Sequence, residues 1–327
     1  MKVAVVGGGS WGTSLAAHLV KTGHDVNLLV RDGVRRDEIA TRRENSRYLP
    51  GVLLPAALRI ECDDTAARGA EMLVMAIPSE AFRGVCRGLA SSLAPGTALV
   101  SATKGLEIDT LRRMTEVVAE EAPGQPVAVL SGPSFALEVA LGQPTAVVAA
   151  SAHAAVAEAV QQAFASPTFR VYSSDDVVGV ELAGALKNVI AIAAGIVDGL
   201  GYGQNTVAAL ITRGLAEIGR LGVALGGRAE TFSGLAGLGD LVLTATGALS
   251  RNRRVGQALG AGQTLDHAVH ETGMVAEGVR TTRAACDLAA RARVEMPIAE
   301  AMRAVLYEGR PPRVAVDALM IRSLKRE

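Results

Sequence analysis

The lysines are the first indication of the chemistry this chain could perform, because they are few. The sequence has 33 basic residues, of which five are lysines. Two of the five, Lys104 and Lys187, lie in the apolar, glycine-rich segments VSATKGLE and GVELAGALKNVIAIAAGIVDG. Arginine is effectively always protonated, whereas a lysine that is desolvated or close to another cation can lose its proton at accessible pH. We therefore interpret Lys187 as a candidate general base and Lys104 as a second cation; the alternative is that both are surface lysines.

The segment around Lys187 has the pattern of a buried helix. From Glu181 to Leu200 it is apolar almost all round, interrupted by Lys187 and Asn188. An unpaired buried charge is costly, so a lysine here predicts a polar cavity. Helical spacing places small residues on one face with the amine, and we expect them to leave room for a ligand. That face comprises Gly184, Lys187, Asn188, Ala191 and Gly195. Desolvation and a nearby cation would lower the lysine pKa, as a general base near neutral pH requires.

A second polar cluster follows in residues 231–252, TFSGLAGLGDLVLTATGALSRN. Asp240 and Thr244 are four residues apart and would share a helix face. Ser250, Arg251 and Asn252 stand where a further helix (Arg253–Leu259) is predicted to start, and helix N-termini favour anions. Arg251 could hold phosphate oxygens with two parallel hydrogen bonds, and Asn252 adds amide donors. The pattern predicts a phosphate pocket; a serine-capped surface helix is the alternative.

The chain also has a glycine motif for binding a dinucleotide. Gly7–Gly12 reads GGGSWG, directly after a predicted strand and at the start of a predicted helix. In this G-x-G-x-x-G pattern Gly7 permits the tight turn, Gly9 lets the backbone approach a pyrophosphate and Gly12 allows close helix–strand packing. The helix N-terminus favours the anion. We predict a dinucleotide site.

The residue after the second strand distinguishes NAD from NADP. An acidic residue there would bind the ribose hydroxyls, but this chain has Arg31, followed by Asp32. Because a cation can pair with a 2′-phosphate, we expect NADPH to be favoured, with NADH as the alternative. A solvated Arg31 without a role is the other interpretation.

Hydrophobic patterns predict two domains that would position these residues. Short Val-rich runs alternate with amphipathic segments up to about residue 174, and almost only helical patterns follow. Strands that are apolar on both faces indicate a mostly parallel sheet covered by helices. We predict an α/β fold: a Rossmann-type, doubly wound domain (1–178) and an all-helical domain (179–327) for substrate binding and catalysis. The predicted strands are Lys2–Val6, Asp25–Val30, Leu58–Glu61, Met72–Ile77, Ala98–Ala102, Val127–Leu130, Ala146–Ala150 and Arg170–Tyr172.

Bulk composition narrows the class of protein. The formal net charge is zero and aromatic residues are 3 % of the chain, so no basic, aromatic stripe suggests nucleic-acid binding. Three widely spaced cysteines fit reduced thiols in the cytoplasm. The longest apolar run, Val189–Val197, is shorter than a membrane span and ends at Asp198. We expect a cytoplasmic protein without a transmembrane segment.

The motifs described above are the glycine loop, the segments around Lys104 and Lys187, and residues 231–252. Together with four further motifs they follow an order that resembles the bacterial NAD(P)-dependent glycerol-3-phosphate dehydrogenases. The resemblance extends from residue 2 to about residue 320. The most specific motifs are GALKN (184–188), GLAGLGDL (234–241) and SRN (250–252). The others are GGGSWGT (7–13), ATKGLE (102–107), SGPSFALEV (131–139), AALITRGLAE (208–217), AEGV (276–279) and MPI (296–298).

This resemblance implies interconversion of dihydroxyacetone phosphate and sn-glycerol 3-phosphate, supplying phospholipid synthesis. It implies that Lys187 is the proton acceptor. Our hypothesis for Lys104, the second cation, is a catalytic role in which it stabilises negative charge on the reacting oxygen and lowers the Lys187 pKa. The substrate-binding residues that the resemblance implies are Lys104, Gly132, Ser134, Lys187, Asp240, Ser250, Arg251 and Asn252. The cofactor-binding residues, together with Gly7, Gly9 and Gly12, are Ser10, Trp11, Arg31, Tyr48, Lys104, Ala136, Arg251, Val275 and Glu277.

Two alternatives remain open. A 3-hydroxyacid or 6-phosphogluconate dehydrogenase would share the glycine loop and a Lys-Asn pair on a long helix. A silent dinucleotide sensor would need neither Lys187 nor Arg251. His267 and His270 have helical spacing, but without further ligands they indicate a solvated helix face, and we predict no metal. A homodimer is a further possibility.

Overall fold

The first half of the chain folds into a sheet because apolar runs alternate with helical segments. The computed structural model describes residues 1–272 and 276–322. The chain divides into two compact units: unit 1 comprises Met1–Lys104 with Arg112–Val177, and unit 2 comprises Gly105–Leu111 with Val178–Glu327. The short segment Gly105–Leu111 thus packs with unit 2, although it precedes Arg112–Val177 in the chain.

The described part of unit 1 contains eight strands, and the ends of each differ from those of a predicted strand by at most two residues. The strands are β1 (Lys2–Val6), β2 (Asp25–Leu29), β3 (Arg59–Glu61), β4 (Met72–Met75), β5 (Ala98–Ser101), β6 (Val127–Ser131), β7 (Thr145–Ala150) and β8 (Phe169–Ser174). They form one sheet in the order β3-β2-β1-β4-β5-β6-β7-β8. All neighbours are parallel except β6 and β7, which run antiparallel with Val129 opposite Ala150.

The strand order reverses between β1 and β4, which is the kind of position at which open α/β sheets bind ligands. From β1 the chain adds strands toward β3 on one side, and from β4 it adds them toward β6 on the other. In an open α/β sheet, ligands bind at the carboxyl ends of the strands beside such a reversal. The Gly7–Gly12 loop follows β1 and lies at this point.

Helices cover both faces of the sheet. They are α1 (Ser10–Lys21), α2 (Gly33–Arg42), α3 (Ser79–Ala90), α4 (Met114–Glu121), α5 (Ala136–Ala140) and α6 (Ala154–Phe164). Because side chains alternate along a strand, Val3 and Val5 pack with α1 and α6, whereas Ala4 and Val6 pack with α3 and α4. Unit 1 is therefore doubly wound, which confirms the predicted fold class.

In the described part of unit 2, every regular element from Val177 onward is a helix, whereas Gly105–Leu111 is a short segment of loop and turn. Its helices are α7 (Val177–Gly199), α8 (Gln204–Ala224), α9 (Ala229–Ser233), α10 (Asp240–Thr246), α11 (Arg251–Gly260), α12 (Leu265–Thr272), α13 (Glu277–Ala292), α14 (Pro297–Tyr307) and α15 (Pro312–Met320). The central helix is α7, which is buried from Gly179 to Val197. Its apolar side chains form one core with those of α8, α10, α11, α13 and α14.

Among the described residues, α7 is the one helix whose length and composition would allow it to cross a membrane. Its most apolar 18-residue window is completely buried within the protein. A core helix gives the same signal, so the burial of α7 explains its apolar surface without a bilayer.

Candidate active site

The glycine loop has the geometry that its sequence motif predicts. Gly7 has φ +123°, a conformation that side chains disfavour, and a Cβ there would lie 2.4 Å from the Ala76 carbonyl oxygen. A Cβ on Gly12 would lie 2.0 Å from the Gly7 carbonyl oxygen, so only glycine lets α1 start this close to β1. A Cβ on Gly9 would meet no atom of the described residues within 4 Å. The loop is thus tightly packed on the sheet side and open at Gly9.

The start of α1 presents hydrogen-bond donors that suit an anionic ligand. Gly9 caps the helix without a side-chain hydrogen bond, and Ser10 is its first residue. The indole N–H of Trp11 is buried and has no hydrogen-bond partner within the described residues. Buried donors are normally satisfied, so both features fit a ligand rich in acceptors, such as a dinucleotide.

Asn45, a residue that sequence reasoning missed, ties the following loop to the glycine motif. Its buried amide Nδ2 donates to the Gly8 carbonyl at 3.0 Å and to Thr13 Oγ1 at 2.8 Å. Three residues further on, the ring of half-buried Tyr48 lies beneath the Arg35 guanidinium, 4.7 Å from the ring centre. Asn45 thereby holds the Tyr48 segment on the glycine loop.

Arg31 and Asp32, just beyond β2, have different roles. Asp32 is the N-cap of α2, and its Oδ1 accepts hydrogen bonds from the backbone N–H of Val34 at 2.9 Å and of Arg35 at 3.3 Å. The Arg31 side chain is exposed. The Asp32 carboxylate is therefore occupied by the start of α2. The exposed guanidinium of Arg31 lies at the position where dinucleotide-binding folds of this type contact the ribose of the ligand.

Lys104 and Ser134 converge on Gly132 within unit 1. Lys104 Nζ donates to the Gly132 carbonyl oxygen at 2.8 Å, and Ser134 Oγ donates to the same oxygen at 2.9 Å. Gly132 has φ +137°, and a Cβ there would lie 2.9 Å from the Val147 Cα. These residues follow the carboxyl ends of β5 and β6, and Ala136 starts α5 nearby in the chain. The structure thus brings three of the predicted substrate residues together.

Lys187 lies in a buried ionic cluster of unit 2. Its Nζ donates to Thr244 Oγ1 at 2.6 Å and lies 3.1 Å from Asp240 Oδ1. The Lys187 and Asp240 side chains are 6 % and 2 % exposed. Thr244 Oγ1 in turn donates to the Asp240 carbonyl oxygen at 2.7 Å, one turn back in α10, as their spacing predicts. The polar surroundings of the amine are therefore supplied by α10, whose Asp240 carboxylate offsets the buried positive charge.

The predicted anion residues form the first turn of α11. Ser250 is the N-cap, and its Oγ accepts from the Arg253 N–H at 3.2 Å. Arg251 and Asn252 follow as the first two helical residues, so α11 starts two residues earlier than the sequence predicts. Burial lowers the pKa of Arg251, while Glu277 at the start of α13 acts in the opposite direction. A guanidinium disfavoured by burial gains from an anionic ligand.

Glycines bring α7 and α11 into backbone contact. A Cβ on Gly195 would lie 2.0 Å from the Arg253 carbonyl oxygen, and one on Gly256 would lie 2.0 Å from the Ile192 carbonyl oxygen. The expectation that Gly195 leaves room for a ligand is therefore wrong, because α11 fills that space. The carboxylate of Asp198 reinforces the contact by accepting from Arg253 Nη2 at 2.9 Å.

Two further residues of unit 2 join the candidate site. Thr244 bonds the Lys187 amine, and Asn188 Oδ1 accepts from Asn252 Nδ2 at 2.9 Å. Helical spacing had placed both on polar faces but could not assign their partners. Val275 lies outside the described residues, so its predicted cofactor contact stays a prediction. Within residues 1–272 and 276–322, no group of three or more His, Cys, Asp or Glu side chains could hold a metal ion.

Family models for both halves of one dehydrogenase family match the chain. The model for the N-terminus of NAD-dependent glycerol-3-phosphate dehydrogenase matches residues 2–157, and the model for its C-terminus matches residues 176–317. Together they cover most of the chain in the order that the sequence motifs predicted.

The sequences of individual relatives align with this chain over all or nearly all of their length. Glycerol-3-phosphate dehydrogenase [NAD(P)+] of Nitratidesulfovibrio vulgaris (strain DP4) is 55 % identical, covering all of both chains. That of Geobacter sulfurreducens is 54 % identical over all of this chain and 98 % of the relative. The crystal structure of glycerol-3-phosphate dehydrogenase from Coxiella burnetii has a TM-score of 0.95 and 42 % identity, covering 98 % of this chain and 99 % of the other. The predicted resemblance is confirmed: this chain belongs to the NAD-dependent glycerol-3-phosphate dehydrogenase family, whose members are NAD(P)-dependent oxidoreductases acting on a CH–OH group.

Proposed function

We propose that this protein interconverts dihydroxyacetone phosphate and sn-glycerol 3-phosphate with NAD(P), using Lys187 as the proton donor and acceptor. The observation that carries the proposal is the buried cluster of Lys187, Asp240 and Thr244 in a member of this family. A buried lysine amine between a carboxylate and a hydroxyl has a fixed position from which it can exchange a proton with a bound substrate.

The substrate phosphate is proposed to bind at the start of α11. Arg251 supplies a two-pronged donor, the N-terminus of α11 adds backbone N–H groups, and Asn252 fixes the turn through its bond to Asn188. Ser250 acts mainly by capping this turn, since its hydroxyl oxygen accepts from the Arg253 N–H. Asp240 acts through the Lys187 amine, 3.1 Å from its Oδ1.

Lys104, Gly132 and Ser134 of unit 1 are proposed as the remaining substrate contacts. The Gly132 carbonyl oxygen holds both side chains within 2.9 Å, so the ammonium and the hydroxyl are presented as a pair. Lys104 is proposed as the second cation, which stabilises negative charge on the reacting oxygen.

The dinucleotide is proposed to bind along the carboxyl edge of the sheet in unit 1. Gly7, Gly9 and Gly12 shape the loop, while Ser10 and Trp11 offer donors at the start of α1. The further contacts that the resemblance implies are Arg31, Tyr48, Lys104, Ala136, Arg251, Val275 and Glu277. When bound, the nicotinamide supplies or accepts the hydride.

NADPH is the proposed preferred cofactor. Exposed Arg31 can pair with a 2′-phosphate, whereas the Asp32 carboxylate is occupied by the first turn of α2. The Arg31→Ala variant should raise the KM for NADPH more than the KM for NADH. Equal effects on both would count against this preference.

Lys187 is proposed to transfer the substrate proton in both the reductive and the oxidative direction of the reaction. In reduction, the C2 oxygen of dihydroxyacetone phosphate takes a proton from the Lys187 ammonium as C2 becomes an alcohol carbon. In oxidation, the neutral Lys187 amine accepts the C2 hydroxyl proton. Positioned acid–base catalysis of this kind contributes about 10²–10⁴-fold in rate. Asp240 and Thr244 keep the amine in place throughout.

The cellular role is proposed from the family. Glycerol 3-phosphate made by this reaction would supply phospholipid synthesis in the cytoplasm. A homodimer is the proposed assembly. Fractionation of cells and sedimentation of the purified protein test these two points.

Oxidation of NADPH on addition of dihydroxyacetone phosphate tests the proposed reaction. We expect turnover with this substrate and little with unphosphorylated dihydroxyacetone, 3-hydroxyacids or 6-phosphogluconate. In Arg251→Ala the KM for dihydroxyacetone phosphate should rise, and the preference over dihydroxyacetone should shrink. Turnover of a 3-hydroxyacid or 6-phosphogluconate instead would favour the related dehydrogenases, and NADPH binding without turnover would favour a sensor.

A further inference from the structure

The first turn of α13 contacts the first turn of α11 through a hydrogen bond from a backbone N–H to a side-chain oxygen. The Gly278 N–H donates to Asn252 Oδ1 at 3.0 Å, and Asn252 Nδ2 donates to Asn188 Oδ1 at 2.9 Å. All three residues are buried. The neighbouring Glu277 acts electrostatically on Arg251, the residue before Asn252. Two consecutive residues of α13 thus act on two consecutive residues of α11.

This chain of hydrogen bonds fixes the orientation of both side-chain amides. A backbone N–H can only donate, so the Asn252 atom that it meets must be the carbonyl oxygen. The Asn252 NH₂ group then faces Asn188, and the Asn188 atom that it meets must also be an oxygen. The Asn188 NH₂ group is consequently turned away from Asn252. It lies 3.5 Å from the Gly184 carbonyl oxygen, one turn back along the helix that carries Lys187.

Residue 278 must be glycine for this contact to exist. A Cβ there would lie 2.5 Å from the Asn188 carbonyl oxygen and 2.8 Å from Asn252 Oδ1. The first of these atoms belongs to the backbone of α7 and cannot rotate away. The glycine is needed for close approach alone, since the residue is helical and its φ is ordinary.

We propose that Gly278 is a positioning residue for the substrate of the proposed reaction. It acts through Asn252, whose amide it orients, and thereby sets the direction of the Asn188 NH₂ group and the place of Arg251. The inference rests on the proposed function, because the groups that it positions are those assigned to the phosphorylated substrate. It assigns a role to Gly278 of the AEGV segment, a residue that has no side chain with which to bind the substrate itself.

Steady-state kinetics of Gly278→Ala, Asn252→Ala and the double variant test this role in the full-length protein. We expect each single variant to raise the KM for dihydroxyacetone phosphate at least about fivefold, the effect of one lost hydrogen bond. The dissociation constant for NADPH should change less than about twofold. Because Gly278 acts through Asn252, the double variant should have a KM within about twofold of the larger single effect. Effects that multiply in the double variant would overturn the proposal.

The control is Gly219→Ala in α8, where a Cβ would have one neighbour within 4 Å among the residues that the structure describes, Phe232 Cβ at 3.9 Å. It should leave KM and kcat unchanged. Turnover by the wild type and this control tests the proposed function by itself, so failure of that function is seen before the variants are compared. If Gly278→Ala does not fold, the cycle of Asn252→Ala with Asn188→Ala tests the same chain of amides. Multiplying effects there would equally overturn the inference.

Discussion

The Lys187–Asp240 pair predicts a strong coupling between two substitutions. Asp240→Asn removes the carboxylate that lies 3.1 Å from the Lys187 Nζ, and both side chains are almost fully buried. Removal of one partner of a buried ion pair costs about 3–5 kcal/mol, because the other charge is left without compensation. Lys187→Met leaves the Asp240 carboxylate in the same position and should cost a similar amount. The double variant removes both charges, and its total cost should be no larger than that of either single variant.

Urea unfolding followed by circular dichroism measures these free energies. The expected coupling energy between the two substitutions is at least about 2 kcal/mol. Glu308→Gln is the matched control in unit 2, because it breaks an exposed pair in which Arg303 Nε lies 3.3 Å from Glu308 Oε1. Exposed pairs contribute less than about 1 kcal/mol, so this variant should unfold almost like the wild type. If the costs of Asp240→Asn and Lys187→Met simply add, the pair is not the buried unit described above.

Two more predictions concern buried groups of unit 2. Burial raises the pKa of the Glu217 carboxyl from 4.5 to about 7, and a hydrogen bond from the Ile298 N–H acts in the opposite direction. The protonated carboxyl therefore makes its full contribution to the free energy of unfolding below about pH 4.5. This contribution, roughly 3 kcal/mol, is lost as the pH rises through about 7. Glu217→Gln removes the titrating group, so the urea midpoint of this variant should rise relative to that of the wild type between about pH 5 and about pH 8. If the difference between the two midpoints stays constant over this pH range, the assignment to Glu217 is contradicted. Gly256→Ala places a Cβ 2.0 Å from the Ile192 carbonyl oxygen and should destabilise the protein by about 1–3 kcal/mol. Gly219→Ala should instead stabilise the protein by about 0.5–1 kcal/mol. Equal melting temperatures for the Gly256→Ala and Gly219→Ala variants would contradict this prediction, because they would show that α7 and α11 can move apart with little loss of stability.

The sheet could be predicted from sequence because buried parallel strands are continuous apolar runs. The helices α2 and α5 could not. In α2 only Ile39 is buried, so the helix lacks an apolar stripe, and α5 has just five residues. The antiparallel pairing of β6 with β7 was also beyond prediction, because strand direction depends on how the chain returns to the sheet.

The residues proposed as catalytic could be identified from the sequence, but the side chains that they contact could not. Lys187 was evident because a lone lysine interrupts an apolar helix, and Asp240 and Thr244 were evident as a pair. That the pair belongs to the lysine is a tertiary fact, since 57 residues separate Lys187 from Thr244. Gly195 was misread because a small residue can admit either a ligand or another backbone, and only the fold decides.

Domain bounds at 1–178 and 179–327 remain a prediction about the intact protein. The units defined by contacts add one feature that no pattern indicated, the assignment of Gly105–Leu111 to unit 2. Leu106 and Leu111 are buried in the core of that unit. Two apolar side chains in a short segment are too few to give a periodic signal.

The turnover of Lys187→Met tests the central claim most directly. The assay is NADPH oxidation with saturating dihydroxyacetone phosphate, with NADPH affinity and circular dichroism measured on the same samples, and with the more stable double variant Lys187→Met/Asp240→Asn beside it. The account predicts that both variants bind NADPH within about twofold of the wild type and lose at least about 10²–10⁴-fold in kcat. A folded Lys187→Met protein with a kcat near that of the wild type would contradict it.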